Sequence, residues 1–360
     1  MNISVFGTRG FPSIQGGVEK HCEYLYQRLA RSHTITVYRR KPYVCSDERF
    51  DNIRFVDLAS TKIKGFEPLL NSFLATLHVL FSRTDIIHIH NIGPAFFTPL
   101  LRLAGKYVVL TYHSPNYEHR KWNAFGKSIL KLSEAIALRY AHAVIFVNKF
   151  QMDKFMRRKY AAKLFNIPNG IEQPVVSTNN NFLKKWNLTE ANYILAVGRI
   201  TPEKGFDTLI NAFLKIDTDY KLVIAGSAES ETNYLNQLIA LSDPERVIFT
   251  GFVHGEPLQQ LYSHAGLFVL SSINEGFPIV LLEAMSYGLP VIVSDIPATR
   301  LVDLHESCYF SPDDEIALAG LLEKRLNQKF SPITYDLEKY NWDTIAGETV
   351  RIYKMFSYSQ

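Results

Sequence analysis

The stretch EGFPIVLLEAMSYGLPVIVSD, residues 275–295, decides the fold. It follows an apolar strand pattern at 267–271 (LFVLS) and ends in another at 291–294 (VIVS), with a helical segment between them. Pro278 suits the first turn of that helix, where its missing N–H costs nothing, and Gly288 suits its end. A strand, a helix and a second strand in this order are typical of a parallel sheet covered by helices.

The same alternation of apolar strands and helical patterns continues through both halves of the chain. Predicted strands lie at 2–7, 34–39, 53–57, 85–90, 107–112 and 143–148 in the first half and at 193–198, 220–226, 246–250, 267–271 and 291–294 in the second. Most of them lack polar alternation, as parallel strands covered on both faces do. The sequence therefore predicts an α/β protein with two Rossmann-like, doubly wound parallel-sheet domains, and its 360 residues also favour two.

The boundary between the domains is predicted at the turn signal PNG, residues 168–170, before the polar run at 177–181 (STNNN). The first domain then spans 1–168 and the second 171–340. Ligands of open α/β sheets bind beyond the carboxyl ends of the strands. Two such domains therefore predict an interdomain cleft as the ligand site.

Composition excludes several classes of protein. The chain is 47% hydrophobic and 21% charged, as globular proteins are, and no apolar run reaches the roughly 20 residues that span a bilayer. The N-terminus lacks the charged and apolar regions of a signal peptide. Three scattered cysteines without metal-ligand spacing suit a reducing compartment, so we expect a cytoplasmic protein.

Charge is distributed unevenly along the chain. Residues 1–170 carry 25 Lys and Arg against 11 Asp and Glu, whereas residues 171–360 carry 14 against 24. The basic first half indicates an anionic partner, which could be nucleic acid, an anionic membrane surface or a phosphorylated substrate.

Two carboxylates flank the start of the helix in the opening stretch. Ile279, Val280 and Leu281 would present backbone N–H groups at the helix N-terminus, which is an anion site. Glu275 lies just before it and Glu283 in its second turn, where each could accept hydrogen bonds from hydroxyls. A nucleotide sugar offers hydroxyls on both sides of its diphosphate. The alternative is that one or both carboxylates are solvated helix residues.

The loop VGRITPEKG, residues 197–205, follows a predicted strand. Arg199 and Lys204 would lie at the strand end, where Arg can bind a diphosphate bidentately and Lys acts as a point charge. The alternative is a surface turn with two solvated cations.

The loop after the first predicted strand leads to Gly16 and Gly17, which open a helix. Glycines there allow a substrate to approach the backbone closely. The dinucleotide fingerprint G-x-G-x-x-G is missing, which disfavours a nicotinamide oxidoreductase. A flexible loop before a glycine helix start remains the alternative.

His113 directly follows a strand at the functional edge of the predicted sheet, where it could polarise or hydrogen-bond a reacting group. A structural histidine is the alternative. His88 and His90 end another strand and could join His113 at a metal site. No Asp, Glu or Cys completes a persuasive ligand set, so the sequence predicts no metal.

Together these motifs resemble the GT-B glycosyltransferases of the family 4 type. The matching segments are GGVE at 16–19, VGRITPEKG at 197–205, GFV at 251–253 and EGFPIVLLEAMSYGLPVIVSD at 275–295. KYNWDTIAGETVRIYK at 339–354 resembles the closing helix, about 341–357, which in this fold crosses back to the first domain. The first 25 residues and YEHRKWNAFGK at 117–127 resemble the bacterial branch that builds surface polysaccharides.

The resemblance implies a retaining transfer from a nucleotide-sugar donor without a metal or other cofactor. It implies that Arg199 and Lys204 hold the donor diphosphate, that Glu275 contacts the donor sugar and Glu283 the ribose, and that His113 lines the reacting sugar. The further implied donor contacts are Gly16 and Gly17, Phe252 and Val253 beside the base, and Gly276, Phe277, Ile279 and Val280 at the phosphates. A UDP-sugar is favoured, and a dTDP-deoxysugar is the alternative.

In this fold the first domain takes the acceptor, which the resemblance implies is a polyprenyl-diphosphate-linked or other saccharide. Segment 149–163 is basic with interleaved aromatics, and segment 69–81 is apolar enough to be a core helix or a membrane-dipping one. We therefore expect peripheral attachment to the inner face of the cytoplasmic membrane, with a solvated basic face and a buried helix as the alternative.

Other function classes stay in consideration. A nucleotide-sugar epimerase would use the same scaffold without an acceptor, and a catalytically silent nucleotide-sugar sensor would bind a donor without turnover. Binding of nucleic acid by the basic half is disfavoured, because no recognised nucleic-acid motif is present.

Overall fold

The computed structural model describes residues 1–44, 46, 48–61, 66–118, 123–156, 160–228, 233–328 and 331–357. Cys45, residues 119–122 of the 117–127 segment and residues 157–159 of the basic segment lie outside the described residues. The chain divides into two compact units, Met1–Gly170 with Tyr340–Gln360 and Ile171–Lys339. No described helix is both long enough and apolar enough to cross a bilayer.

The first unit is built on a seven-stranded sheet in which every pairing is parallel. The strand order β3-β2-β1-β4-β5-β6-β7 reverses direction between β1 and β4, which is the switch point of a doubly wound sheet. The strands are β1 (Asn2–Phe6), β2 (Thr34–Arg40), β3 (Ile53–Leu58), β4 (Ile86–His90), β5 (Tyr107–Tyr112), β6 (Ala143–Phe146) and β7 (Leu164–Asn166).

Helices cover both faces of this sheet and explain why most strand residues are apolar. In β4, Ile86 faces the core that contains Leu25 and Tyr26, whereas the next residue, Ile87, faces the core that contains Ala75 and Val79. Successive side chains of a strand point to opposite faces, so both sets are buried, and the buried His88 and His90 of β4 are polar exceptions. The helices are α1 (Gly17–Leu29), α2 (Phe66–Leu80), α3 (Thr98–Leu103), α4 (Ala124–Tyr140) and α5 (Lys149–Met156).

The second unit is a six-stranded parallel sheet with the order β10-β9-β8-β11-β12-β13. Its strands are β8 (Tyr193–Val197), β9 (Lys221–Ala225), β10 (Val247–Gly251), β11 (Leu267–Leu270), β12 (Val291–Ser294) and β13 (Tyr309–Phe310). Its helices are α6 (Asn181–Lys185), α7 (Phe206–Leu214), α8 (Asn233–Leu241), α9 (Glu256–His264), α10 (Ile279–Ser286) and α11 (Glu315–Leu326).

The last helix, α12 (Trp342–Ser357), packs in the first unit, although the second unit precedes it in the chain. Trp342 and Tyr353 are almost fully buried in the same core as the apolar face of α1. A Cβ atom at Gly170 would collide with the Trp342 ring, so the end of the first sheet region needs a glycine there. Asp343 adds an ion pair to Arg31 of the loop after α1, at 2.9 Å.

Candidate donor site and histidine cluster

The loop after β8 is shaped so that Lys204 stands at the carboxyl end of the sheet. A short 3-10 helix, Pro202–Lys204, ends at Gly205, whose φ of 59° is left-handed. A Cβ atom at Gly205 would collide with the backbone carbonyl of Ser271, so only glycine fits both the conformation and the space. Ser271 in turn donates a hydrogen bond from its hydroxyl to the Lys204 carbonyl, at 2.9 Å.

Lys204 and Glu275 meet at this edge. Lys204 Nζ lies 2.5 Å from Glu275 Oε1, and the Ser272 hydroxyl donates to the same oxygen at 2.7 Å. The side chains are only 17% and 13% exposed. The stem of Lys204 passes over Gly198, where a Cβ atom would lie 3.1 Å from Lys204 Cε. The structure thus brings together two of the predicted site residues and rules out the interpretation of Lys204 and Glu275 as solvated surface charges.

Glu283 is buried, 7% exposed, on the inner face of α10. The Tyr262 hydroxyl of α9 donates to Glu283 Oε2 at 2.9 Å. Burial, and secondarily the Glu283 carboxylate, raises the pKa of Tyr262, so this phenol stays a donor. A buried carboxylate that accepts a hydrogen bond from a neighbouring helix is not a solvated helix residue. Sequence reasoning missed Tyr262.

The start of α10 differs in one detail from the prediction. Pro278 is the N-cap with φ −81° and ψ 93°, and the helix begins at Ile279, so Pro278 does not lie in the first turn. The Leu281 N–H donates to the Pro278 carbonyl at 3.1 Å. Of the three N–H groups predicted to face an anion, those of Ile279 and Val280 therefore remain, as the first groups of a helix that have no acceptor within it.

The other predicted donor contacts of the second unit lie in loops that follow β8, β10 and β11. Phe277 is buried and Gly276 is half-buried, beside Glu275 in the chain. Phe252 follows β10 and is 41% exposed, with its ring centroid 5.6 Å from that of His254, and Val253 is half-buried. Arg199 is half-buried in the loop after β8. An exposed aromatic ring at a strand end is suited to stacking on a flat base.

In the first unit, Gly16 is the N-cap of α1 and Gly17 its first residue. Gly16 has φ 151°, and a Cβ atom there would collide with the Glu19 carboxylate. Glu19 Oε1 accepts a hydrogen bond from the Arg9 N–H at 3.2 Å. Glu19 therefore connects the loop to the start of α1 through a hydrogen bond, so this loop is better ordered than the flexible glycine loop considered as the alternative.

His113 is buried among three other histidines, His21, His88 and His90, which we call the histidine cluster. His90 Nδ1 and His113 Nε2 are 3.0 Å apart. Burial lowers the pKa of His21 to about 4 and that of His88 to about 3, and it holds the pKa of His90 and of His113 well below the usual range. The cluster is neutral at pH 7, so His113 can hydrogen-bond a hydroxyl but carries no charge.

The third histidine beside His90 and His113 is His21, not His88 as the sequence suggested. Ligand atoms of His21, His90 and His113 all lie within 4.8 Å of one another. His88 is occupied elsewhere, since its Nδ1 lies 2.5 Å from the Tyr353 hydroxyl and its Nε2 lies 2.7 Å from that of Thr111. A signal for His21 existed, because it lies beside Cys22 on the helix face that points inward.

Family models match both halves of the chain. Residues 15–173 match the model described as Glycosyltransferase Family 4, and residues 178–340 match the one described as Glycosyl transferases group 1. Together the two matches cover most of the sequence.

Curated relatives agree with these models. An uncharacterized glycosyltransferase of Methanocaldococcus jannaschii is 29% identical, with 96% of this chain and 95% of the relative covered. O-antigen chain mannosyltransferase B of Escherichia coli is 29% identical, with 48% of each chain covered, so the match spans about half its length.

Solved structures share the fold. Sucrose-phosphate synthase from Thermosynechococcus elongatus aligns with a TM-score of 0.81 at 22% identity, covering 98% of both chains. Anabaena HepE in complex with UDP-glucose aligns with a TM-score of 0.72 at 19% identity, covering 99% of this chain and 98% of that one. Identities this low establish likeness of fold alone.

Proposed function

The chain belongs to the GT-B glycosyltransferases, with a family 4 first half and a group 1 second half, and from that premise we propose that it is a retaining transferase of surface-polysaccharide synthesis. The predicted fold and enzyme class are thereby confirmed. The proposed donor is a UDP-sugar, and the proposed acceptor is a polyprenyl-diphosphate-linked saccharide. The similarity to an O-antigen chain mannosyltransferase supports a role in surface-polysaccharide synthesis.

The ion pair of Lys204 with Glu275 is the observation that carries the proposal. When the bond from the anomeric carbon to the diphosphate breaks, its electron pair moves onto the diphosphate. Lys204 and Arg199 would bind that charge, and the N–H groups at the start of α10 would add their dipoles. When a phosphate replaces Glu275 as the partner of Lys204, the Glu275 carboxylate can accept hydrogen bonds from the donor sugar. Charge on the leaving group is then offset by the protein, so we propose that transfer needs no metal.

Glu283 supplies a criterion for the nucleotide. As a buried carboxylate that is oriented by Tyr262, it is suited to accept hydrogen bonds from both ribose hydroxyls. dTDP lacks the 2′ hydroxyl, so a Glu283 contact favours a UDP-sugar over a dTDP-deoxysugar. UDP-glucose bound to Anabaena HepE, a protein of the same fold, supports this preference.

Thermal unfolding in the presence of UDP, dTDP, GDP or ADP tests the donor site. A ligand at 100 times its Kd adds about 2.7 kcal/mol to the stability of the folded state, enough to shift Tm visibly. We expect UDP to raise Tm most, Lys204→Ala to remove that shift and Glu283→Ala to make UDP and dTDP equal. Lys215→Ala is the matched control, because Lys215 pairs with Glu315 outside the site. No shift with any nucleotide would contradict the donor assignment.

Turnover assays separate the remaining function classes. A transferase consumes the donor only with an acceptor, so release of UDP that depends on a lipid-linked saccharide supports the proposal. Conversion of the donor sugar without an acceptor would indicate the epimerase, and binding without turnover across an acceptor panel would indicate the sensor.

Helix α2 exposes large apolar side chains and buries small or polar ones, which supports contact with an apolar medium. Phe66, Phe73 and Leu77 are exposed, and Phe81, just after the helix, is 92% exposed. A helix that packs only on a protein core buries its large apolar residues. The buried face instead consists of small or polar residues, namely Asn71, Ser72, Ala75, Thr76 and Val79.

The apolar surface continues beyond α2. The ring of Phe73 lies 5.7 Å from that of Phe97, which directly precedes α3, and α3 exposes Leu100 and Leu103. The exposed Arg83 and Arg102 lie near these residues in sequence. Each basic residue close to anionic lipid adds about 1 kcal/mol to the free energy of membrane binding. We therefore propose that this surface of the first unit attaches the enzyme to the inner face of the cytoplasmic membrane, where lipid-linked acceptors are held.

Flotation with vesicles tests the attachment. We expect wild type to float with vesicles that contain phosphatidylglycerol. The double variant Phe73→Ser with Leu77→Ser should remain in the bottom fraction of the gradient, without vesicles. Ile316→Ser is the matched control, because Ile316 is 78% exposed in the second unit. Membrane attachment would be contradicted if wild type did not bind anionic vesicles and were fully active on an unlipidated acceptor. The donor assignment would not be affected.

A further inference from the structure

Three imidazole nitrogens approach one another inside the first unit. The ligand atoms of His21, His90 and His113 lie within 4.8 Å of one another, and His90 Nδ1 is 3.0 Å from His113 Nε2. Tetrahedral zinc with Zn–N bonds of about 2.0–2.1 Å holds its nitrogens roughly 3.3 Å apart. One pair already has close to that spacing, and the other nitrogens exceed it by at most about 1.5 Å, since all lie within 4.8 Å of one another.

His21 contributes a nitrogen that lacks a hydrogen bond. Its Nδ1 lies 2.7 Å from Asn169 Oδ1, an acceptor, so Nδ1 carries the hydrogen and Nε2 carries a lone pair. Nε2 is buried, with no hydrogen-bond partner among the described residues. The His21 ring centroid is 4.9 Å from that of His113 and 5.6 Å from that of His90. A buried, unpaired lone pair is costly unless something binds it.

The surroundings orient two of the three rings as metal sites require. A histidine that binds a metal usually donates its other N–H to an oxygen, which fixes the tautomer. Asn169 Oδ1 does this for His21. The Tyr26 hydroxyl, 2.6 Å from His90 Nε2, can do it for His90 and leave Nδ1 for a cation.

From these contacts we propose that His21, His90 and His113 form a binding site for a divalent transition-metal cation of the zinc class. Neutral imidazoles are suitable ligands for Zn²⁺, Co²⁺ and Cu²⁺. Three of them leave a fourth position for water. The transferase reaction proposed above does not use this ion. A bound cation takes the lone pair of His113 and removes that residue from the reacting sugar, so the site is inhibitory. This last consequence rests on the proposed function, whereas metal binding does not.

Direct binding of Zn²⁺ to full-length, tag-free protein tests the site. We expect one Zn²⁺ per chain by calorimetry, and a Co²⁺ absorption spectrum of tetrahedral intensity. His21→Gln should weaken binding at least about 100-fold, and Asn169→Ala, which removes only the oxygen that orients His21, about 10–100-fold. His254→Gln is the matched control on the exposed surface of the second unit. Wild type without stoichiometric binding, or binding of wild-type strength in His21→Gln, overturns the proposal.

Two further measurements keep the outcome independent of folding and of activity. Shifts of the histidine side-chain NMR signals on adding Zn²⁺ to wild type should identify the ligands without any substitution. Transfer from the UDP-sugar should fall on adding Zn²⁺ and recover with a chelator. Zn²⁺ binding without inhibition would contradict the role of His113 in transfer and leave the metal site intact, whereas NMR shifts confined to other histidines would overturn the site itself.

Discussion

Lys204 and Glu275, 71 positions apart in the sequence, form an ion pair of 2.5 Å at the carboxyl edge of the second sheet. Their strands β8 and β11 are parallel neighbours, so the loops that follow them emerge at the same edge. The pair is preformed, and a donor diphosphate has to compete with Glu275 for Lys204. This competition is a testable property of the site.

Glu275→Gln should strengthen binding of UDP while it lowers transfer from the UDP-sugar. The neutral amide does not attract the Lys204 ammonium as the carboxylate does, so Lys204 is available to the diphosphate. Because such an ion pair contributes about 1 kcal/mol, we expect UDP to bind about threefold to tenfold more tightly. Calorimetric titration with UDP measures it, and the isosteric variant keeps the volume of the side chain. Weakening as large as that of Lys204→Ala would instead mean that Glu275 positions Lys204 rather than competing for it.

Gly205→Ala should destabilise the protein more than Gly105→Ala does. Both glycines have a left-handed φ, 59° at Gly205 and 73° at Gly105, so both alanine variants carry a backbone cost of about 1–2 kcal/mol. At Gly205 the new Cβ also meets the Ser271 carbonyl, whereas at Gly105, just after α3, it meets nothing within 4 Å. Urea unfolding should show the larger loss for Gly205→Ala, together with loss of the UDP-dependent Tm shift. Equal losses would show that the loop relaxes around the methyl group.

Tyr262→Phe tests whether the phenol orients Glu283. Removing the hydroxyl takes a donor from a buried carboxylate, which should cost about 1–3 kcal/mol of unfolding free energy and reduce the discrimination between UDP and dTDP. Tyr287→Phe is the control, because its hydroxyl donates to the exposed Val175 carbonyl. A Tyr262→Phe variant that keeps wild-type discrimination would show that Glu283 does not depend on this bond.

The sequence predicted the strands better than the contacts around the site. Each predicted strand is present, with ends that differ by at most two residues, because apolar runs between turn signals are reliable. β7 (Leu164–Asn166) and β13 (Tyr309–Phe310) were not predicted, since two or three residues at a sheet edge carry no recognisable pattern.

Site contacts follow from tertiary structure, which spacing in the sequence does not encode. Lys204 and Glu275 were predicted as separate ligand contacts, but their ion pair depends on strand order. His21 joins His113 because Asn169, 148 positions away, orients it. Such partners come from other elements of the fold, so no local pattern marks them.

The histidine cluster should make folding stability depend on pH. The pKa of His88 is lowered to about 3 and that of His21 to about 4, from about 6.5 in an unfolded chain. The unfolded state therefore binds more protons between these values. Stability that is complete above pH 6.5 is lost as the pH falls toward 4, by about 1.4 kcal/mol per pH unit for each histidine. Urea titrations between pH 4.5 and 7.5 measure this slope.

His88→Gln removes one titrating group and should reduce that slope by about 1.4 kcal/mol per pH unit, whatever it does to stability at pH 7. Thr111→Val is the matched control, since it deletes the hydrogen bond to His88 Nε2 but leaves the imidazole in place. It should lower stability at every pH and keep the wild-type slope. Equal slopes in wild type and His88→Gln would mean that His88 is charged or solvated in the folded state, which would contradict its burial between Thr111 and Tyr353.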